Sequence, residues 1–376
     1  MKKPIIGILS MQRVINYGSF LQAYALKQLI HKLGIDNIEF IDIEKGTPIK
    51  GITPAGYKHS KDKVYNIFRT IASGKLISKY RSREFFKKVT KNIINNWPLL
   101  GIRDVSFPYK DDKEFDYVII GSDEVFNCCQ ESPWGFTAQL YGEVKHAKHV
   151  STYAASFGQT SISSLRKFNL IEPISAALNN VEYISVRDYN SEEIVREITD
   201  RPIFRHLDPV LIYGYIEELK KMTESPISER YIIVYSYPER ISNSEEIRKI
   251  KRYAKHTNTK IISIFCTYKW CDMYVIPDNI LDVLRWFKFA DCIFTDTFHG
   301  TIFSIITHSN FYSLVRPTNQ QKMYSLLNVL QLKSRILEID SEIETENAIN
   351  YSRIESILNN ERKRTNSYLK IILGLE

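Results

Sequence analysis

Residues 4–43 read PIIGILSMQRVINYGSFLQAYALKQLIHKLGIDNIEFIDI. Pro4 to Met11 is apolar and runs into a polar loop, Gln12 to Asn16. Leu21, Ala25, Leu29 and Leu33 then recur every four residues, which predicts a helix stopped by Gly34. Ile38 to Ile43 predicts a second strand. Strand, helix and strand in so short a stretch make a βαβ unit, which implies a parallel sheet whose ligand edge is the loop after the first strand.

The same grammar returns after an interruption. Residues 46–115 carry Gly, Pro and Lys early and two basic helical stretches later. Beyond them, strands are predicted at Tyr117 to Ile120, Val150 to Ala155, Tyr183 to Val186 and Ile203 to Leu207, with helices at Ser161 to Asn180 and Ser191 to Ile198. A polar helical stretch, Tyr215 to Glu229, leads into a second series. Its strands are Tyr231 to Tyr235, Lys260 to Phe265, Cys292 to Thr295, Phe311 to Val315 and Ile336 to Ile339; its helices are Ser244 to His256, Ile280 to Phe289, Thr301 to Thr307 and Gln321 to Leu330. The expected class is α/β, two doubly wound Rossmann-like domains facing a cleft. They span residues 1–212, with the basic insertion 46–115, and 213–345, followed by a helix in 346–376.

Composition agrees with two folded domains. The chain has 376 residues, 44% hydrophobic and 25% charged, which argues against disorder. No run approaches the ~20 apolar residues that span a bilayer, and the apolar run behind Lys2 and Lys3 is too short for a signal-peptide core. Cys128, Cys129, Cys266, Cys271 and Cys292 are odd in number and form neither a C-x-x-C pair nor zinc spacing with His. The expectation is a reduced, cytoplasmic chain without a structural metal. Net charge is +8, concentrated between Tyr57 and Lys91, and no helix-turn-helix, zinc-finger or RNP signature accompanies it, so nucleic acid is not an expected partner.

The sharpest local feature is ADCIFTDTFHGT, Ala290 to Thr301: a strand, then His299-Gly300-Thr301, then an apolar helix. A helix N-terminus presents unpaired amides and partial positive charge, Gly300 permits close approach, and Thr301 can cap or offer a hydroxyl. The plainer alternative is a cap and a loop-satisfied His. Three loops of the first domain share this strand-end setting: Asn16-Tyr17-Gly18, Gly121-Ser122-Asp123 and Ser156-Phe157-Gly158. Asp123 and Asn16 also suit turn or cap positions. Arg187 ends an apolar strand, paired with Asp188 or open to a carboxylate or phosphate. Lys322 and Arg335 lie close enough in sequence to reach the His299 corner, whereas Asp208-Pro209 reads as a chain-turning element.

INYGSFLQAYAL (15–26), DYVIIGSDEVFN (116–127), YAASFG (153–158), ISVRD (184–188), LDPVL (207–211) and TDTFHGTIFSI (295–305) occur in the order seen in the polysaccharide pyruvyl transferase family. Through these motifs the chain resembles that family from residue 5 to about 340. The resemblance implies a GT-B-like fold and transfer of the pyruvyl group of phosphoenolpyruvate (PEP) onto two sugar hydroxyls as a cyclic ketal. It places the family's PEP-contacting Arg and His on Arg187 and His299, and a basic residue of its last loop on Lys322. Many members have Arg where this chain has Thr297, so the second cation of the clamp falls to Lys322, Arg316 or Arg335. No cofactor or metal is implied.

His suits proton transfer, Arg187, Lys322 and the Gly300 helix start suit the anion, and Asp123 or Asp296 is available to accept a hydroxyl proton. The alternatives are a GT-B glycosyltransferase using a nucleotide sugar and a non-catalytic binding protein. Within residues 57–94, Val64, Ile67, Phe68 and Ile71, then Ile77, Tyr80, Phe86, Val89 and Ile93, form an apolar stripe opposite Lys and Arg. That pattern suits peripheral contact with the inner face of the cell membrane, where a lipid-linked saccharide acceptor would be met. Otherwise the stripe packs on the first domain.

Overall fold

A computed structural model describes residues 4–52, 76–102, 113–338, 343 and 348–376. The first domain contains β1 (Ile6–Leu9), α1 (Tyr17–His31), β2 (Ile38–Ile41), α2 (Leu76–Asn96), β3 (Phe115–Asp123), β4 (Ala147–Ala155), α3 (Ile162–Lys167), α4 (Ile171–Leu178), β5 (Ile184–Val186), α5 (Tyr189–Ile198), β6 (Ile203–Arg205) and α6 (Pro209–Tyr213). Its strands form one parallel sheet in the order β2-β1-β3-β4-β5-β6. The second contains α7 (Ile216–Lys221), β7 (Tyr231–Tyr235), α8 (Ser244–Thr257), β8 (Lys260–Ile264), β9 (Met273–Val275), α9 (Asp282–Lys288), β10 (Cys292–Thr295), α10 (Phe298–Ile306), β11 (Phe311–Ser313) and α11 (Gln320–Val329). That sheet is parallel in the order β11-β10-β7-β8-β9. Strands such as IGIL, YIIVY and CIFT are buried along their whole length, because helices cover both faces of a parallel sheet. The predicted pair of doubly wound domains in a GT-B-like arrangement is the observed one.

Between the domains lies a continuous apolar cluster. Tyr17 and Phe20 of α1, Val89 and Ile93 of α2, and Val210 of α6 meet Tyr235, Phe265, Phe298, Phe303 and Met323 of the second domain. α12 (Tyr351–Ile372) follows the second domain in sequence but docks on the first, where Tyr368 Oη donates to Thr152 O at 2.8 Å and Leu369, Ile372 and Leu373 join Ile6 and Ile8 in one cluster.

Several elements differ from the sequence expectation. The helix expected over Ser161 to Asn180 is two, α3 and α4, with Asn169 at φ 54° between them. Starting α4 afresh puts Pro173 in a first turn, where its missing N–H costs nothing. β9, three residues on the sheet edge, carries no periodic signal. The strand expected at Ile336 to Ile339 shows one bridge, Ser313 to Ile336, and its last residue lies outside the described ones. Only Ile216–Lys221 of the polar stretch is helical.

The apolar stripe of the insertion also has another use. On α2, Phe85, Val89 and Ile93 are buried; Phe85 meets the Tyr274 ring at 5.4 Å, Phe86 meets Phe265 at 5.9 Å, and Asn92 Nδ2 donates to Pro277 O at 2.9 Å. This face is turned inward and reaches the second domain, in one apolar cluster with Tyr17 and Phe20 of α1. The stripe at 64–71 lies outside the described residues, as do the side chains of Ile77 and Tyr80.

Candidate active site

Thr297 decides where α10 begins. Its backbone is extended, and its hydroxyl accepts from Gly300 N at 2.9 Å, making Thr297 the cap. The helix therefore starts at Phe298, before His299. The Thr301 amide is bonded to Thr297 O at 3.2 Å and its hydroxyl pairs with Ser313 at 2.8 Å, so neither the Gly300 nor the Thr301 amide is open to an anion, contrary to expectation. Gly300 is a packing glycine: a Cβ there would lie 2.2 Å from Thr295 Oγ1.

His299 is pressed between the domains. A Cβ on Gly18 would lie 2.3 Å from His299 Nδ1, so the start of α1 covers that edge of the imidazole. The other nitrogen, Nε2, is 3.5 Å from Asp208 Oδ2 and makes no hydrogen bond. Asp208 is fully buried and caps α6 by accepting from Val210 N at 3.0 Å. Its Oδ2 also accepts from Arg187 Nη1 at 2.8 Å. Burial alone would raise this carboxyl; His299, Arg187 and the Val210 amide outweigh it and hold it below the ordinary aspartate range. Asp208 is thus both the chain-turning cap read from sequence and the link between the two predicted functional residues, a role the sequence did not disclose.

Arg187, only 4% exposed, makes its side-chain hydrogen bond to Asp208, with Asp123 Oδ1 3.9 Å away and Asp188 close enough to act on it by charge. Its Nε and Nη2 have no partner. The guanidinium carbon lies 4.3 Å from the centre of the Phe298 ring, and Lys322 Nζ lies 5.4 Å from the same ring. Lys322 crosses the cleft to Glu124. Burial opposes ionisation of Glu124, yet the Lys322 ammonium prevails and lowers its carboxyl to about 2. A pocket of about 250 Å³, its open mouth included, is lined by Arg187, Asp188, Leu207, Asp208, Phe298, Lys322, Ser325 and Leu326. Ser325 and Leu326 were not foreseen; they share a helix face with Lys322 at i+3 and i+4.

The remaining candidates divide. Asp123 accepts from Ser19 Oγ at 2.8 Å. Asn16 caps α1, accepting from Gly18 N at 2.6 Å, and its amide reaches across the cleft to the Tyr237 hydroxyl. Tyr17 is a fully buried packing residue against Phe265. Ser122 and Ser156 are fully buried, the first donating to Gln22 Oε1 at 2.6 Å and the second to Asp188 Oδ2 at 2.5 Å, and Phe157 lies in the core beside Phe126 and Tyr141. These three brace the strand ends from inside instead of lining the pocket. Arg335 is not at the corner: it is 2% exposed, bonds Asn310 Oδ1 at 3.0 Å and lies over Tyr312, at the start of β11, whereas the corner is at the strand ends. Arg316 is taken up by Glu246 in two bonds of 2.6 and 2.9 Å. Asp296 is fully buried, with burial raising its carboxyl. Of the three cations considered, Lys322 is the one that lines the pocket.

These features define a two-domain α/β protein whose cleft pairs a buried, half-satisfied guanidinium with a histidine at a helix start. The chain belongs to the polysaccharide pyruvyl transferase family, whose family model matches residues 16–316. No curated protein matches it. Solved structures with a similar course include the UDP-GlcNAc 2-epimerase of Methanocaldococcus jannaschii in complex with UDP-GlcNAc and UDP, at 15% identity and TM-score 0.42, covering 95% of this chain and 99% of that one. The UDP-GlcNAc 2-epimerase of Neisseria meningitidis bound to UDP-GlcNAc is similar at 11% identity and TM-score 0.45, over 97% and 99%.

Proposed function

We propose that this family member transfers the pyruvyl group of PEP onto two hydroxyls of a sugar in a polysaccharide or its lipid-linked precursor, forming a ketal and releasing phosphate. The observation that carries the reading is Arg187. A buried guanidinium with one donor tied to Asp208 and two nitrogens unsatisfied is costly unless an oxygen anion completes it, and a second cation, Lys322, lines the same pocket.

The chemistry then follows from placement. Protonation of PEP at C3 generates a cationic C2, and an imidazolium at His299 supplies that proton through Nε2, since Gly18 covers Nδ1. One acceptor hydroxyl bonds to C2, the C2–O bond to phosphate breaks, and the second hydroxyl closes the ring. In balance, one acceptor proton ends on the new methyl group and the other leaves with phosphate. Asp208 supports the cationic His299, while Arg187 and Lys322 hold the carboxylate and phosphate. Asp123, 3.9 Å from Arg187, accepts a hydroxyl proton in this reading. Purified protein incubated with PEP and candidate lipid-linked saccharides should release phosphate, and His299→Ala should lower turnover by ~10² to 10⁴ with the fold intact. Phosphate release by His299→Ala at the parental rate would refute the assignment.

A further inference from the structure

Helix α2 has one face seated and one face free. The seated face, Phe85, Val89 and Ile93, is turned inward and reaches the second domain. The opposite face exposes Arg83, Lys87, Lys88 and Lys91 to solvent. Lys87 makes a solvent-exposed pair with Glu84 on its own helix, an arrangement worth little in water. Arg83 and Lys88 also lie within Coulombic reach of Glu84, the one acid facing the row among the described residues, and Lys87 together with them holds its carboxyl below the ordinary range. Two exposed apolar side chains lie elsewhere in this region: Tyr274, 52% exposed, in ring contact with Phe85 of the seated face, and Leu99, 43% exposed, in the turn after the helix. The helix is also fixed in relation to the cleft. Phe86 packs on Phe265, Phe265 packs on Tyr237 at 5.5 Å, and the Tyr237 hydroxyl meets Asn16 at the start of α1.

We propose that this face of α2 is a docking surface for an anionic lipid bilayer. The contact is electrostatic: the apolar stripe is already used inside the protein, so the helix lies on the headgroups without inserting. A row of four exposed cations with a single acid among them matches a flat anionic surface. It offers no concave groove of the kind that would enclose a soluble glycan. Each basic residue near such a surface contributes on the order of 1 kcal/mol and Glu84 offsets one of the four, which predicts partitioning roughly a hundredfold stronger to anionic than to neutral vesicles. Docking in this orientation holds the cleft beside the bilayer, the place where a lipid-carried acceptor is presented. That last consequence rests on the function proposed above; the docking itself does not.

The test is sedimentation of the full chain with vesicles of phosphatidylcholine alone and of phosphatidylcholine with about one-third phosphatidylglycerol, at low and high salt. Two variants accompany it: Arg83→Glu/Lys87→Glu/Lys88→Glu/Lys91→Glu, and a charge-matched control on the outer helix α8, Arg248→Glu/Lys251→Glu/Arg252→Glu/Lys255→Glu, both checked for folding by circular dichroism. Binding to anionic vesicles that is weakened by salt, abolished by the α2 variant and retained by the α8 variant supports the proposal. Absence of binding, equal binding to both vesicles, or equal loss in the two variants overturns it. Binding that a soluble acidic polysaccharide displaces but that vesicles do not reproduce would assign the surface to a glycan instead, and would also overturn it.

Discussion

Arg187 and Lys322 meet the pocket in different electrostatic states. Arg187 keeps Nε and Nη2 unsatisfied, whereas Lys322 already carries Glu124. An incoming PEP must therefore compete with Glu124 for Lys322. Glu124→Gln, which keeps the shape and removes the charge, should tighten PEP binding several-fold by calorimetry and, by weakening the tie between the domains, lower the melting temperature by a few degrees. Unchanged or weaker PEP affinity would show that Lys322 does not face the ligand. At this scale, legibility follows distance along the chain. Arg187 and His299 stand out in the sequence because one follows a strand and the other opens the helix after a strand, a local signal. Glu124 was missed because its partner is 198 positions away. Asp208 was read as a turn because capping is visible in Asp-Pro, whereas a second partner across a cleft is not. Ser122, Ser156 and Phe157 also occupy strand ends, yet they point inward; alternation at the last residue of a strand does not reveal which face becomes the site.

The βαβ units were predicted nearly to their ends because continuous apolar runs and Gly stops are local. α10 starts three residues before the expected Thr301: both Thr297 and Thr301 can cap, and the extended backbone at Thr297 decides. The elements that tie the domains together, α2 and α12, showed amphipathicity without showing their partner. α12 supplies the next prediction. Its Tyr368 packs on His206, at the end of β6, whose Nδ1 meets Ser185 Oγ at 2.8 Å. Burial, with the Arg364 charge second, pushes His206 down to about 4. A histidine lowered on folding stabilises the native state fully above its unfolded value near 6.5, and that stability is lost as pH falls toward 4. The loss is about 3 kcal/mol over that window, at 1.4 kcal/mol per unit. Glu124 loses its contribution only below its unfolded value near 4.5, so urea midpoints at pH 7 and pH 5 isolate His206. The parent should weaken between them more than His206→Asn; parallel losses would contradict this account.

As a whole molecule, the protein is two parallel-sheet domains joined by an apolar cluster, with Arg187 and Asp208 buried and Lys322 and Glu124 half-buried at the cleft. No group of three His, Cys, Asp or Glu side chains among the described residues is placed to hold a metal ion. The proposed anion binding uses Arg187 and Lys322, so phosphate release from PEP should survive exhaustive EDTA treatment; loss restored by Mg²⁺ or Mn²⁺ would transfer the anchoring to a carboxylate-bound metal. The central claim, that the cleft is built for a small dianionic or trianionic donor around Arg187, does not depend on knowing the acceptor. Calorimetric titration of PEP into the parent and into Arg187→Ala tests it most directly. The account predicts saturable one-to-one binding to the parent and at least a tenfold loss in Arg187→Ala, the ~1.5–3 kcal/mol of a charge-assisted hydrogen bond. Parent protein that does not bind PEP, or equal affinity in the two, would contradict it.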